Sequence, residues 1–141
     1  MEIMKTMLTD EQKKRMIIRA LESREKAYAP YSGYAVGAAL LTKNGEIFTG
    51  VNIENAAYPT GTCAERVAVF KAVSEGERVF EAIVVASSNG GTPCGSCRQV
   101  LSEFGLDTEI IIVDGEGNSV QETTVGEILP GAFTSKDLPQ K

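Results

Sequence analysis

Ala82-Ile83-Val84-Val85-Ala86 is an unbroken apolar run, and a run of this kind suits a central strand covered on both faces, where a half-solvated strand would alternate. Downstream, a short helix is predicted over residues 94–104, stopped by Gly105, and a second apolar strand over residues 109–113. Upstream, residues 63–74 read as a helix with Gly76 as its stop. Its Ala64, Val67, Ala68, Val69, Phe70, Ala72 and Val73 point in most directions, and a helix apolar nearly all round is buried. Before it, residues 34–42 and 47–52 read as strands joined by Lys43-Asn44-Gly45-Glu46. Asn-Gly tolerates the positive φ of a tight hairpin, so this pair is expected to be antiparallel. Thr9-Asp10-Glu11-Gln12 is a capping box. It opens a first helix whose Met16, Ile17, Ala20, Leu21 and Tyr28 form a core-facing stripe and which Pro30 ends. After the second apolar strand, Asp114-Gly115-Glu116-Gly117-Asn118 turns into a last short strand, and Thr124 with Glu127 caps a final short helix that Pro130 ends. Helix, hairpin, helix, strand, helix and strand together predict an α/β fold of three layers, a five-stranded mixed sheet with helices on both faces.

The 141 residues fit a single domain spanning 1–141, with no dividing linker, internal repeat or low-complexity tract. A chain of this length hides about two-thirds of its unfolded surface and folds on its own core. Lys plus Arg is 14 and Asp plus Glu is 19, a net charge of −5, which disfavours a nucleic-acid partner because phosphate contacts need a basic face. The absence of histidine removes every mechanism built on imidazole, from Ser-His-Asp triads to His-ligated zinc. The N-terminus, broken by Glu2, Lys5, Asp10 and Glu11, lacks the apolar core of a secretory signal. The longest apolar stretch, residues 34–41, is far short of the roughly 20 residues that cross a bilayer. With free thiols, these features give a cytoplasmic expectation and no membrane partner.

The chemistry lies in Cys63, Cys94 and Cys97, the only cysteines. An odd count with a close pair does not read as a disulfide scaffold. Cys63-Ala64-Glu65-Arg66 opens one predicted helix and Pro93-Cys94-Gly95-Ser96-Cys97-Arg98 the next. A lone Cys-x-x-Cys reads equally as a redox dithiol. With Cys63 at a second helix start, the trio reads as a metal site. Positions i and i+3 share a helix face, and first-turn side chains lean back towards the N-terminus, so the three sulfurs meet if the helix starts adjoin. Structural zinc is closed by four protein ligands, so three thiolates without histidine leave a position for water, whose pKa zinc lowers to about 7. Three thiolates leave the zinc unit at a net charge of 2 − 3 = −1. The two helix N-termini and Arg66, three residues after Cys63, offset it, and Arg66 is the candidate donor to thiolate sulfur. Glu65 stands about 200° round the helix from Cys63, badly placed as a ligand and well placed as a general acid and base above the metal.

At these residues the chain resembles the small, tetrameric zinc cytidine deaminases. The likeness extends from Ala27-Tyr28-Ala29-Pro30-Tyr31-Ser32 through Val36-Gly37-Ala38-Ala39-Leu40-Leu41 and Gly50-Val51-Asn52-Ile53-Glu54-Asn55-Ala56-Ala57-Tyr58 to Leu129-Pro130-Gly131-Ala132-Phe133. The resemblance implies one zinc per chain and hydrolysis of cytidine and deoxycytidine to the uracil nucleosides and ammonia. A zinc-bound hydroxide attacks carbon 4, and Glu65 shuttles the proton. It also implies that Asn52 and Glu54 hold ribose hydroxyls and that the ring of Tyr34 lines the pocket. The Ala64 amide would hold the base carbonyl, and Phe133 would pack near the base from a neighbouring subunit of a homotetramer. Position 34, commonly Phe in that family, is Tyr here, which places a hydroxyl at the pocket, and the loop at residues 87–92 is short. Within residues 50–66 Arg66 is the only cation, so a neutral nucleoside fits better than a nucleotide, whose phosphate needs a basic clamp. The competing readings are a deaminase of another cytosine nucleoside, such as an aminoacyl-nucleoside antibiotic, and a non-catalytic zinc module.

Overall fold

The computed structural model describes residues 8–139, so Glu2 and Lys5 lie outside the described residues. The expected three layers are present. The elements run α1 (Asp10–Arg24), β1 (Gly37–Thr42), β2 (Ile47–Val51), α2 (Ala64–Ser74), β3 (Phe80–Ala86), α3 (Gly95–Ser102), β4 (Glu109–Val113) and β5 (Ser119–Thr124). Single 3₁₀ turns sit at Tyr58–Thr60 and Ser135–Asp137. The sheet order is β2-β1-β3-β4-β5, with β3 and β4 parallel and the other neighbours antiparallel.

The apolar run at 82–86 becomes the middle strand because both its faces are covered. Ile83 and Val85, with Ala38, Leu40, Ile110 and Ile112, face α2 and α3 and pack on Ala64, Ala68, Val69, Ala72 and Leu101. Ala82, Val84 and Ala86, with Ala39, Leu41, Ile111 and Val113, face Met16 and Ala20 of α1. Each fully buried Ile, such as Ile110, Ile111 or Ile112, contributes about 1.5–3 kcal/mol.

A close approach sets the seat of α2. A Cβ on Gly50 of β2 would stand 2.4 Å from the Ala64 carbonyl oxygen and 2.5 Å from the Ala68 nitrogen. Only a bare backbone lets the first turn of α2 lie this near the sheet. That turn follows Cys63 and carries Glu65 and Arg66.

Several boundaries differ from the sequence expectation. α1 ends at Arg24, not at Pro30, and Tyr28 lies outside it and exposed. Tyr28 instead exchanges backbone bonds with Asn52 and Glu54 (N to Asn52 O, 3.0 Å; Glu54 N to its O, 2.8 Å), so tertiary pairing draws it out of the helix. β1 starts at Gly37 rather than residue 34. Ahead of it the Asn52 side chain, not a strand backbone, accepts from Val36 N (2.9 Å) and donates to Tyr34 O (2.8 Å). In the hairpin, Gly45 alone takes the positive φ, +89°, and Asn44 does not. α2 is not covered all round: Phe70 is 51% exposed. α3 stops at Ser102, and the bonds of Phe104 N to Leu101 O and Gly105 N to Ser102 O tighten the chain beyond it. Thr124 and Glu127 do exchange their capping bonds, but they close a single turn and no helix follows. Pro130 comes too soon for a second turn.

Candidate active site

Cys63 and Cys94 are not inside their helices but are the N-caps of α2 and α3, both with extended backbone and neither sulfur bonded to its helix's own amides. An N-cap side chain faces the third helical residue, as in a capping box. For Cys94 that residue is Cys97, and for Cys63 it is Arg66. One local geometry therefore joins two sulfurs at one helix start and sets a guanidinium on the third sulfur at the other. The Arg66 Nη2 donates to Cys63 Sγ at 3.4 Å.

The parallel pairing of β3 and β4 and the seat of α2 on Gly50 bring the two helix starts together. The three Sγ atoms lie within 4.8 Å of one another, and Cys63 Sγ is 3.9 Å from Cys94 Sγ. Tetrahedral bonds of about 2.3 Å place sulfurs about 3.8 Å apart, so the trio has the spacing of a zinc site. Soft thiolates favour the same metal. Among the described residues no carboxylate joins the group. The sulfurs hold their protons unequally. Cys63 is held down to about 5, chiefly because the Cys97 thiol donates to it, with Arg66 adding to this against the cost of burial. Cys97, giving that hydrogen bond and fully buried, is pushed well up. Contact with Cys63 raises Arg66 in turn.

Glu65, the second residue of α2, is buried at 5% exposure, and burial first of all raises its carboxyl above the ordinary range, the charge at Cys63 adding to this. It lines a cavity of about 250 Å³ with Cys63, Ala64, Cys94, Tyr34, Asn52, Glu54 and loop residues 87, 91 and 92. The lining contains two carboxylates and no Lys or Arg. A neighbouring cavity of about 450 Å³ shares Ser32, Asn52, Glu54 and Cys63 and reaches Tyr31, Tyr58 and Arg66, but touches neither Glu65 nor Cys94. Glu65 and Cys94 therefore face the smaller one and not the larger.

Glu54 is firmly placed. One carboxylate oxygen accepts from Tyr31 N at 2.9 Å and Ser32 N at 3.1 Å, and the other accepts from the Ser32 hydroxyl. These bonds, the Ser32 hydroxyl first, hold its pKa below the usual carboxylate range. The Asn52 amide, by clamping Tyr34 and Val36, uses one donor and one acceptor and keeps one of each. Tyr34 lines the smaller cavity, and its hydroxyl turns to the loop, 2.9 Å from Ser87 Oγ and 2.7 Å from Asn89 Oδ1. Phe133 is not brought to this pocket in its own chain: it is 57% exposed, and its carbonyl accepts from Gln99 Nε2 at 2.9 Å. Sequence reasoning missed Ser32 as the partner of Glu54, and Ser87 and Asn89 as partners of Tyr34. Those loop residues are 53 and 55 positions from the tyrosine, and nothing local signals the contact.

The sequence model of the family described as the cytidine and deoxycytidylate deaminase zinc-binding region matches residues 10–113. Cytidine deaminase from Sporosarcina psychrophila is 47% identical over 126 residues, 88% of this chain and 93% of the relative. That from Halalkalibacterium halodurans is 49% identical over 126 residues, 87% and 95% of the two chains. Among solved structures, cytidine deaminase from Burkholderia pseudomallei superposes with a TM-score of 0.81 at 45% identity, over 85% of this chain and 98% of the other. With sulfur spacing, fold and sequence in agreement, this chain belongs to the zinc-binding cytidine and deoxycytidylate deaminases.

Proposed function

We infer that this chain hydrolyses cytidine and deoxycytidine to uridine and deoxyuridine with release of ammonia, as a zinc-dependent deaminase of pyrimidine salvage. The observation that carries this reading is the buried Glu65 beside three convergent sulfurs, with Glu65, Cys63 and Cys94 lining one 250 Å³ cavity and Cys97 buried behind them. Cys63, Cys94 and Cys97 would hold one zinc per chain, which when bound supplies Lewis acidity at an open coordination position and lowers the pKa of water there to about 7.

The remaining work falls to the protein. Water adds at carbon 4 of the pyrimidine while a proton moves to ring nitrogen 3 and a second reaches the departing amine. Glu65 performs these transfers: burial raises its carboxyl above the ordinary range, which suits it both to accept a proton and to return it. The Ala64 N–H, among the amides of the first α2 turn that have no intrahelical partner, donates to the base carbonyl. Glu54 already accepts three hydrogen bonds, so its remaining acceptor site takes a ribose hydroxyl, and Asn52 offers the adjacent donor and acceptor. Arg66 steadies the Cys63 sulfur. No cation lines the cavity, which favours the nucleoside over its monophosphate.

The outward Phe133, with Phe70 and Tyr58 at 51% and 75% exposure, suits a homotetramer in which Phe133 reaches a neighbour's base pocket. Among the described residues no helix is long and apolar enough to cross a membrane, and a cytoplasmic location fits free thiols. The test is to mix zinc-loaded protein with cytidine, with deoxycytidine 5′-monophosphate and with an aminoacyl-cytosine nucleoside, following ultraviolet absorbance and ammonia. Conversion of cytidine in preference to the other two is expected. Failure with cytidine, or faster turnover of either other compound, would overturn the assignment.

A further inference from the structure

Part of the cavity wall is formed by the loop at residues 87–92, which joins β3 to the metal-bearing start of α3. Its far end is anchored by Arg98, whose Nε donates to Pro93 O at 2.7 Å and whose Nη2 donates to Thr92 Oγ1 at 3.2 Å. Its near end leaves β3 at Ala86. Between them Ser87 N bonds Val113 O at 3.3 Å and Gly90 lies against Val120, while the side-chain hydrogen bonds reaching the loop from outside come from Tyr34.

The Tyr34 hydroxyl is engaged there by two loop side chains. Asn89 Oδ1 accepts only, so the Tyr34 hydroxyl donates to it at 2.7 Å. Ser87 Oγ, at 2.9 Å from Tyr34 Oη, accepts from Gly91 N at 3.0 Å and stands 3.5 Å from Asn89 Oδ1, so the two hydroxyls and the amide oxygen form one cluster. Ser87 is 1% exposed, so a partner lost there leaves a buried polar atom unsatisfied. The space is also fitted: a Cβ on Gly91 would stand 2.6 Å from Tyr34 Oη. The tyrosine itself is held at its backbone, with Asn52 Nδ2 on its carbonyl and its N–H on Ser32 Oγ at 3.0 Å.

We propose that the Tyr34 hydroxyl is a latch that presets the 87–92 loop for nucleoside binding, leaving only its ring to face the base. Tyr34 is on this account a positioning residue. The hydroxyl is used up within the protein, so the pocket keeps an apolar wall where the side chain alone would suggest a polar one. The latch ties the ribose-holding segment (Ser32, Asn52, Glu54) to the segment leading into Cys94, so the two halves of the pocket are set together. The proposal rests on the reading of this cavity as the nucleoside site.

The test uses zinc-loaded protein and Tyr34→Phe, which removes one oxygen and keeps the ring. With the latch gone a smaller fraction of loops is binding-competent, and apparent affinity falls by that fraction. For hydrogen bonds of ordinary strength the KM for cytidine should rise about three- to tenfold, with kcat within about twofold. Amide exchange across residues 87–92, measured without nucleoside, should accelerate, while exchange in α1 stays as in the parent. Ser87→Ala should do the same, and the double variant should be no worse than the more affected single one. Additive effects would overturn the latch. So would a Tyr34→Phe protein whose loop exchanges as slowly as the parent's, including one that loses kcat, since its hydroxyl would then be serving the base directly. If the parent does not deaminate cytidine, the assignment of substrate fails, and the exchange rates of the three variants still decide the latch.

Discussion

Replacing Gly50 by alanine tests the link between sheet and metal site at its narrowest point. The added Cβ would lie 2.4 Å from Ala64 O, 2.5 Å from Ala68 N and 3.1 Å from Val67 Cβ, where ordinary contact begins at 3.4 Å. Two of these neighbours are helix backbone and cannot rotate away, so α2 must retreat from the sheet by about 1 Å. Overpacking of this size costs about 1–3 kcal/mol. At about 2.1 cal/mol/K per residue, unfolding entropy for 141 residues is about 0.3 kcal/mol/K, which converts the cost to a fall of about 3–10 °C in Tm. The same retreat carries Cys63 away from Cys94 and Cys97, which ride on α3, so zinc affinity should fall at least tenfold. Both are measurable, by thermal melts with excess zinc and by titration against a chromophoric chelator. Gly95→Ala is the control, because a Cβ there meets nothing within 4 Å. A Gly50→Ala protein melting within 1 °C of the parent and binding zinc equally would refute the claim that this contact seats the helix.

Glu65→Gln should keep stoichiometric zinc and lose about 10² to 10⁴ in kcat. Because burial penalises the carboxylate, its melting temperature should not fall, and near-normal turnover would remove Glu65 from the chemistry. Cys94→Ala should lose both zinc and the stability that metal binding contributes. One zinc per chain after dialysis against chelator would reject the ligand set. Asp114, whose carboxylate accepts from Asn118 N and Glu116 N, titrates below its ordinary value. A depressed folded-state pKa means stability fully present above the unfolded value of about 3.9 and lost as pH falls through the lower folded one. In urea melts from pH 7 to 3, the advantage of the parent over Asp114→Asn should therefore shrink only at the acid end. An advantage that is constant or grows on acidification would contradict the turn's electrostatics.

The central strands were legible because double-sided burial writes itself as continuous Ile and Val, and 109–113 agrees residue for residue. Ends set by distant partners were not. Tyr28 leaves the helical pattern to pair with Asn52, and the segment before Gly37 is held by that asparagine's amide. Phe70 misled because apolar character reports what a surface avoids, not which neighbour covers it. At the site, the Cys94/Cys97 and Cys63/Arg66 pairings follow from N-cap geometry that the spacing already contained. Their mutual approach depends on sheet order and on Gly50, neither of which is local. The Tyr34 contacts needed coordinates, since a hydroxyl's partner 53 positions away leaves no periodic trace.

The strand directions concentrate the groups that matter at one rim of the sheet. β1 begins, and β2, β3 and β4 end, at the level of Gly37, Val51, Ala86 and Val113. From that rim depart the segments bearing Ser32, Asn52, Glu54, Ser87 and Cys94. The opposite rim holds the 43–46 hairpin, where Lys43 N meets Val79 O and the Asn44 amide meets Glu77, beside the segments that enter β3 and β4 and leave β5. A grafted peptide tag or dye attached at Asn44 would sit a full strand length from the chemistry, making that hairpin a handle for immobilising the enzyme with its mouth turned to solution.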